Sequence, residues 1–296
     1  ITSSGKMAIH TTAPLTVEGG MISGKTSAIN IYTGTATVTS GESLFPSNNK
    51  VSFASNASAF LMADDPALAQ AADLAVYDGE TLVGYFTSAT TATTCSEMDG
   101  KTVKLLKDIS TSKATGLEII GYDVTLDLNN HNITSTGTAA ITCRAGSSAS
   151  KPRKVTITGE GTVSCNNEAG CVAVYVDRYT QLTIESGTYQ VGGDADNSCV
   201  YIARSYHTSP ATVAIKGGSF ETGDGRYVLN IKDEMVAEGA AFSVTGGTFK
   251  GFDPADNIAE GEGTNYLGEG VTSAKRDDGF FEVRDYAWLT IPEIEH

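Results

Sequence analysis

Four segments of the chain repeat one another: Val155-Thr-Ile-Thr158, Leu182-Thr-Ile-Glu185, Val213-Ala-Ile-Lys216 and Phe242-Ser-Val-Thr245. Their first residues lie 27, 31 and 29 positions apart. A second element follows each within a few residues, as Gly161-Thr-Val163, Gly187-Thr-Tyr189, Gly218-Ser-Phe220 and Gly247-Thr-Phe249. A third follows the first three, as Val172–Val176, Val200-Tyr-Ile-Ala203 and Val228-Leu-Asn-Ile231, with starts 28 and 28 apart. Upstream, Val124–Leu128 with Ile133, Leu15-Thr-Val17 with Gly20-Met-Ile22, and Ala36-Thr-Val38 extend the same columns. A fixed period of roughly 30 residues means a chain built from stacked units.

Within each unit apolar residues alternate with Thr, Ser or charge, the period of a strand with one buried face. Three such strands cannot bury that face alone. Stacking unit on unit pairs each strand with its equivalent about 4.8 Å away and makes a continuous core. The predicted fold is therefore all-β, a right-handed parallel β-helix with three short strands per turn. Val155, Ile157, Leu182, Ile184, Val213, Ile215, Phe242 and Val244 should point inward. The glycine of each Gly-Thr/Ser-aromatic element fits a corner needing positive φ. Composition agrees: 32 glycines and abundant Thr disfavour long helices, and charged residues are only 19%.

Between the first turns and the main series the pattern changes. Asp64-Asp65-Pro66 followed by an Ala-rich run predicts a helix near 66–73 with an acidic cap. Leu74–Tyr77 and Leu82–Phe86 flank Asp78-Gly79-Glu80, which predicts a hairpin. Residues 88–99 could form a poor helix. After Phe249 a helical turn and a strand at Phe280-Phe-Glu-Val283 would cover the open end of the stack. The organisation expected is 1–59 as N-terminal turns, 60–100 as a helix and hairpin insertion packed on one flank or the start of a second module, 101–250 as the main β-helix, and 251–296 as a C-terminal cap.

The segments Thr102-Val-Lys-Leu-Leu-Lys-Asp108, Val124-Thr-Leu-Asp-Leu-Asn-Asn-His-Asn-Ile133 and Gly246-Gly-Thr-Phe249, with the late Gly279-Phe-Phe-Glu-Val283, follow in that order. In this order the chain resembles surface proteins of gut bacteria that carry pectate-lyase-like β-helix repeats, over about residues 74–284. The resemblance implies an extracellular or cell-surface location and a pectate-lyase-like fold. It does not fix an activity, because that fold hosts lyases, hydrolases, adhesins and spacers. Similar solenoids occur in phage fibres and tailspikes.

Chemistry-bearing residues are sparse. Equal spacing aligns Asp177, Ser205 and Asp233 at the end of the third strand, beside Arg178, Arg204 and Lys232, with His207 close by. Stacked, Asp177 and Asp233 with Arg204 and Lys232 are the catalytic candidates if the chain is a polysaccharide lyase or hydrolase. The same charges read first as a solvated rim where opposite charges offset each other. The hydrolase signatures Gly-His-Gly and Arg-Ile-Lys are absent, and Asn230-Ile-Lys232 lacks the arginine. Asp194, Asp196 and Asn197, and separately Asp253, Asp256 and Asn257, are weak Ca²⁺ candidates that read first as turn residues. A column of Thr16, Thr37, Thr125, Thr156 and Thr183 is interrupted by Ala214 and Ser243, which argues against an ice-binding face. His131 reads as a turn residue, and Tyr286 and Trp288 as cover for an apolar edge or, if exposed, as surfaces that could stack on sugar rings.

Five cysteines (95, 143, 165, 171, 199) lack zinc-site spacing. Cys165 and Cys171 flank a turn and could be bridged, although small buried hydrophobes are the expected role for most of the five. The net charge of −15 opposes nucleic acid and anionic lipid. No apolar run approaches a membrane span of roughly 18 residues, and the start at Ile1 does not read as a signal peptide. The expected function is a non-catalytic extracellular solenoid, a surface-protein segment or adhesin presenting loops to glycan or protein ligands, without a required cofactor. A monomer is favoured, since a trimeric fibre needs a continuous outward apolar stripe and only Tyr175 and Tyr201 offer one. The alternatives are the lyase or hydrolase and the phage fibre.

Overall fold

The computed structural model describes residues 1, 3–4, 7–12, 15–17, 22, 27–31, 34–40, 51–53, 57–63, 72–86, 98–167, 169–192, 197–203, 209–223 and 227–286. The chain is an all-β solenoid of about four turns with parallel sheets. In the main series the first sheet stacks Lys101–Leu105, Val124–Asp127, Arg153–Thr158, Thr180–Ile184, Thr212–Ile215 and Ala241–Val244. The second stacks Ile109–Thr111, Ile133–Ser135, Thr162–Cys165, Thr188–Val191, Ser219–Thr222 and Gly247–Lys250. The third stacks Leu117–Ile120, Ala139–Arg144, Val172–Val176, Ser198–Ile202 and Leu229–Ile231. A small fourth sheet of Met7–Thr11, Ser27–Ile31 and Val51–Phe53 belongs to the first turns.

The first two columns run in the register their spacing predicts. Val124, Val155, Leu182, Val213 and Phe242 pair in succession, and the eight residues expected inside are all buried. In the second sheet Ile133, Val163, Tyr189, Phe220 and Phe249 pair likewise. There Tyr189, Phe220 and Phe249 stack face to face, with ring centroids 4.9 Å apart at each step and interplanar angles of 9° and 7°. That separation is the strand spacing itself, so the backbone ladder holds the rings at contact. The corner glycines Gly187, Gly218 and Gly247 have φ of 99°, 100° and 102°, and a Cβ at Gly187 would lie 2.9 Å from the Leu128 Cδ1.

The third column departs from its predicted register. Val172 pairs with Ser198, Val174 with Val200, and Val200 with Leu229 rather than Val228. The spacing of valines misleads because the corners differ in length. Val228 is a buried corner residue whose carbonyl accepts from both the Cys199 and Val200 amides, at 2.9 and 3.2 Å.

The hairpin forms at Leu74–Asp78 and Thr81–Phe86 around Gly79. It is not packed on a flank: it is spliced into the first sheet, antiparallel to Ala57–Ala63 on one side and to Lys101–Leu105 on the other. The boundary expected at 59/60 falls inside Ala57–Ala63, a strand parallel to Gly34–Ser40. The helix expected near 66–73 and the segment 88–99 lie outside the described residues, apart from Ala72, Asp73, Met98 and Asp99.

The far end is closed sheet by sheet. Phe280–Asp285 pairs antiparallel with Gly247–Lys250 and carries Val271–Lys275 on its outer edge. Val244 exchanges backbone bonds with Tyr266 and Gly268, both 2.8 Å. The last amide of the third sheet, on Ile231, donates to the Glu260 Oε1 at 2.6 Å, and the Tyr266 hydroxyl donates to the same oxygen at 3.0 Å. Phe252 and Tyr266 cover the final aromatic layer. Tyr286 is exposed, which departs from edge cover and agrees with the exposed alternative, and Trp288 lies outside the described residues. No helix among the described residues is long and apolar enough to cross a membrane.

Candidate functional site

A cleft of about 470 Å³ lies on the outer side of the third sheet. Alternation along Val172–Val176 and Ser198–Ile202 turns Val174, Val176, Val200 and Ile202 inward and leaves Tyr175 and Tyr201 outward, one above the other. Their rings meet edge to face, centroids 6.2 Å apart at 67°. The same outward column holds Glu118 and Thr142 before them and Asn230 after. It is therefore not a continuous apolar stripe of the kind a trimeric fibre would use.

Thr138, Gly170, Cys171 and Ser198 form one end of the cleft, and Asn230, Lys232, Asp233 and Tyr227 the other. Across this length it spans three strand intervals, on the order of 14 Å. Partial burial pushes the Tyr201 phenol up to about 12 and that of Tyr175 in the same direction. Both are neutral hydroxyls at physiological pH, each with one proton to donate and lone pairs to accept. The one cation on the cleft wall among the described residues, Lys232, lies 3.7 Å from Glu234 and beside Asp233, so the wall carries no net positive charge.

The Asp177 column predicted from spacing does not assemble. Because the third sheet runs Val176, Ile202, Ile231, Asp177 follows in register with Ala203 and Lys232, not with Ser205 and Asp233. Asp233 instead opens a four-residue helical turn, Asp233–Val236. Arg204, Ser205 and His207 lie outside the described residues. Asp177 is buried, and its partner is a residue the spacing argument missed: the Arg144 Nε sits 3.3 Å from its Oδ2, with the Arg178 Nε at 3.9 Å from Oδ1. Burial outweighs both guanidiniums and pushes the carboxyl up to about 6. Arg144 also lies over the Tyr175 ring, 5.2 Å from its centroid, so this ion pair backs the aromatic pair from below. The turn that follows holds Arg178 and Tyr179 at φ 58° and 54°, a strained pair for side chains of that size. The Thr180 hydroxyl spans it, donating to the Asp177 carbonyl at 2.6 Å and accepting from the Ala145 amide at 2.9 Å.

The side chains of the calcium candidates that are described make hydrogen bonds within the fold. Asn197 is buried, its Oδ1 accepting from the Cys171 amide and its Nδ2 donating to the Gly192 carbonyl, both 2.7 Å. Asp194 and Asp196 lie outside the described residues. The Asp253 Oδ1 accepts from the Ala255 amide at 2.9 Å and the Asn257 Oδ1 from the Ala259 amide at 3.0 Å. No group of three or more His, Cys, Asp or Glu is placed to hold a metal among the described residues. His131 follows Asn129 and Asn130, both at positive φ, as a turn residue should. Cys143, Cys165, Cys171 and Cys199 are free thiols and buried; Cys95 lies outside the described residues.

No protein-family model, curated protein or solved structure matches the chain. The fold and this cleft are therefore what a functional reading must rest on.

Proposed function

We propose that the protein is a non-catalytic extracellular solenoid, a surface-protein segment or adhesin, that binds an uncharged glycan in the Tyr175–Tyr201 cleft. The observation that carries the reading is the outward tyrosine pair on a wall where the charges of Lys232 and Asp233 offset each other, with Asn230 beside it. Sugar rings offer apolar C–H faces to aromatic rings and hydroxyls to amide and phenol groups, and this wall supplies both. The acidic surface, with a net charge of −15, disfavours polyanions such as pectate. The proposed extracellular location rests on the motif resemblance over about residues 74–284 alone. Of the catalytic candidates, Asp233 and Lys232 line the cleft, Lys232 lying 3.7 Å from Glu234, but Asp177, which would complete the carboxylate pair, is buried with its charge directed to arginines.

The test is a glycan array probed with the whole chain, followed by titration calorimetry of the best binder. Binding to neutral glycans that weakens at least about tenfold in Tyr201→Ala is the expected result, the size of one lost stacking contact. Turnover of polygalacturonate with Ca²⁺, read as unsaturated product by ultraviolet absorbance, would overturn the non-catalytic reading.

A further inference from the structure

Cys165 ends the strand Thr162–Cys165 of the second sheet, and Cys171 immediately precedes Val172–Val176 of the third. One corner of the solenoid separates them. The Cys165 thiol donates to the Gly137 carbonyl at 3.4 Å, and the amide of Val172, next after Cys171, donates to the Thr138 carbonyl at 3.0 Å, so both cysteines sit against the same Gly137–Thr138 pair. Backbone and side-chain bonds fix both ends of this corner. The Asn166 amide donates to the Ser135 carbonyl at 2.9 Å, the Asn167 Nδ2 to the Gly137 carbonyl at 3.1 Å, and the Cys171 amide to the Asn197 Oδ1 at 2.7 Å. Cys199 is differently placed, its thiol directed at the Tyr189 and Glu221 carbonyls, both 3.3 Å. Cys171 and Gly170 also line the cleft, which gives a small reagent a route to one thiol of the pair.

We propose that Cys165 and Cys171 are a disulfide-forming pair, closed by exchange with a small-molecule disulfide and locking the cleft wall at Gly170–Cys171. Cys171 gives up its proton, and its thiolate attacks one sulfur of the reagent, forming a mixed disulfide and expelling one thiolate. The Cys165 thiolate then attacks the Cys171 sulfur and expels the second. The reagent's S–S bond is reduced to two thiols, which take up the two protons, and the protein gains one S–S bond. Burial and the neighbouring Cys171 push the Cys165 thiol up to about 12, so closure is slow at neutral pH and accelerates in alkali.

The test incubates the native full chain with oxidised glutathione, quenches in acid, alkylates and maps peptides without reductant. A peptide linking Cys165 to Cys171, lighter by two hydrogens than its reduced form, is the expected result. With it should come a thermal midpoint higher by roughly 3–6 °C, the effect of closing a short loop. Dithiothreitol should reverse both changes, and Cys171→Ser should abolish both. Should that variant fail to fold, the oxidised and reduced wild-type chains supply the same comparison. Full alkylation of both thiols, Cys171 recovered only as its glutathione adduct, or Cys165 linked to another cysteine would each overturn the proposal. Glycan binding is a separate readout, so neither outcome decides the reading of the cleft.

Discussion

The first and third sheets are built alike inside and unlike outside. Inside, both present buried aliphatic ladders: Val155, Leu182 and Val213 in one, Val174 and Val200 in the other. Outside, the first sheet shows Thr102, Thr125, Thr156 and Thr183, then Ala214 and Ser243, a flat row of small side chains. The third shows Tyr175, Tyr201 and Asn230 around a cleft, with Thr142 covered before them. Stacking constrains only the inward residues, since each must fill the layer between its neighbours. The outward residues are free of that demand, so an edge-to-face tyrosine pair beside a cleft on one outer face calls for an explanation outside the fold; on the other face the threonine row meets Tyr77, whose ring Lys104 covers. That difference is why the cleft, rather than the Thr row, bears the functional reading.

The comparison breaks most completely from the inside. Ile184→Asp should leave the chain unfolded, because an unpaired carboxylate in a stacked core costs several kcal/mol, about as much as a whole domain has to spare; far-ultraviolet circular dichroism reads it. Phe220→Ala removes the middle ring of the aromatic stack and should lower the unfolding free energy by roughly 3–5 kcal/mol in a urea titration.

A smaller effect sits at the boundary between inside and outside. Asp177, with its carboxyl raised to about 6, binds a proton more readily when folded than when unfolded. Its protonation therefore favours the folded state as pH falls from 7 through 6 toward the ordinary carboxylate range, and the advantage is lost as pH rises again. Wild-type stability should gain on that of Asp177→Asn over this window; parallel pH curves for the two would contradict the assignment. Smallest of all, Thr183→Ala on the first sheet should change stability by less than about 0.5 kcal/mol and glycan binding not at all.

Much of this was legible from residue spacing. The Val155/Leu182/Val213/Phe242 and Val163/Tyr189/Phe220/Phe249 columns were readable because short corners keep their period, and the corner glycines announced positive φ. The third column was misread because matching valine to valine ignores corner length, and a register error moves every neighbour with it. Asp177 was thereby paired with Asp233, and Arg144, its true partner one strand earlier, went unseen. Nothing local announces Glu260 as the acceptor for the Ile231 amide, since that bond joins residues 29 apart across a non-repeating segment. The cleft could be glimpsed only as two outward tyrosines; its walls depend on which corners meet, and those are fixed by register.

The division between a structural inside and a ligand-reading outside is tested most directly by amide chemical-shift mapping of the whole chain against the best neutral oligosaccharide from the array. The account predicts perturbations clustered at Thr138, Gly170–Tyr175, Ser198–Tyr201 and 227–233, with the Thr102, Thr125, Thr156 and Thr183 amides unmoved. Perturbations centred on that threonine row, or spread evenly over both faces, would contradict it.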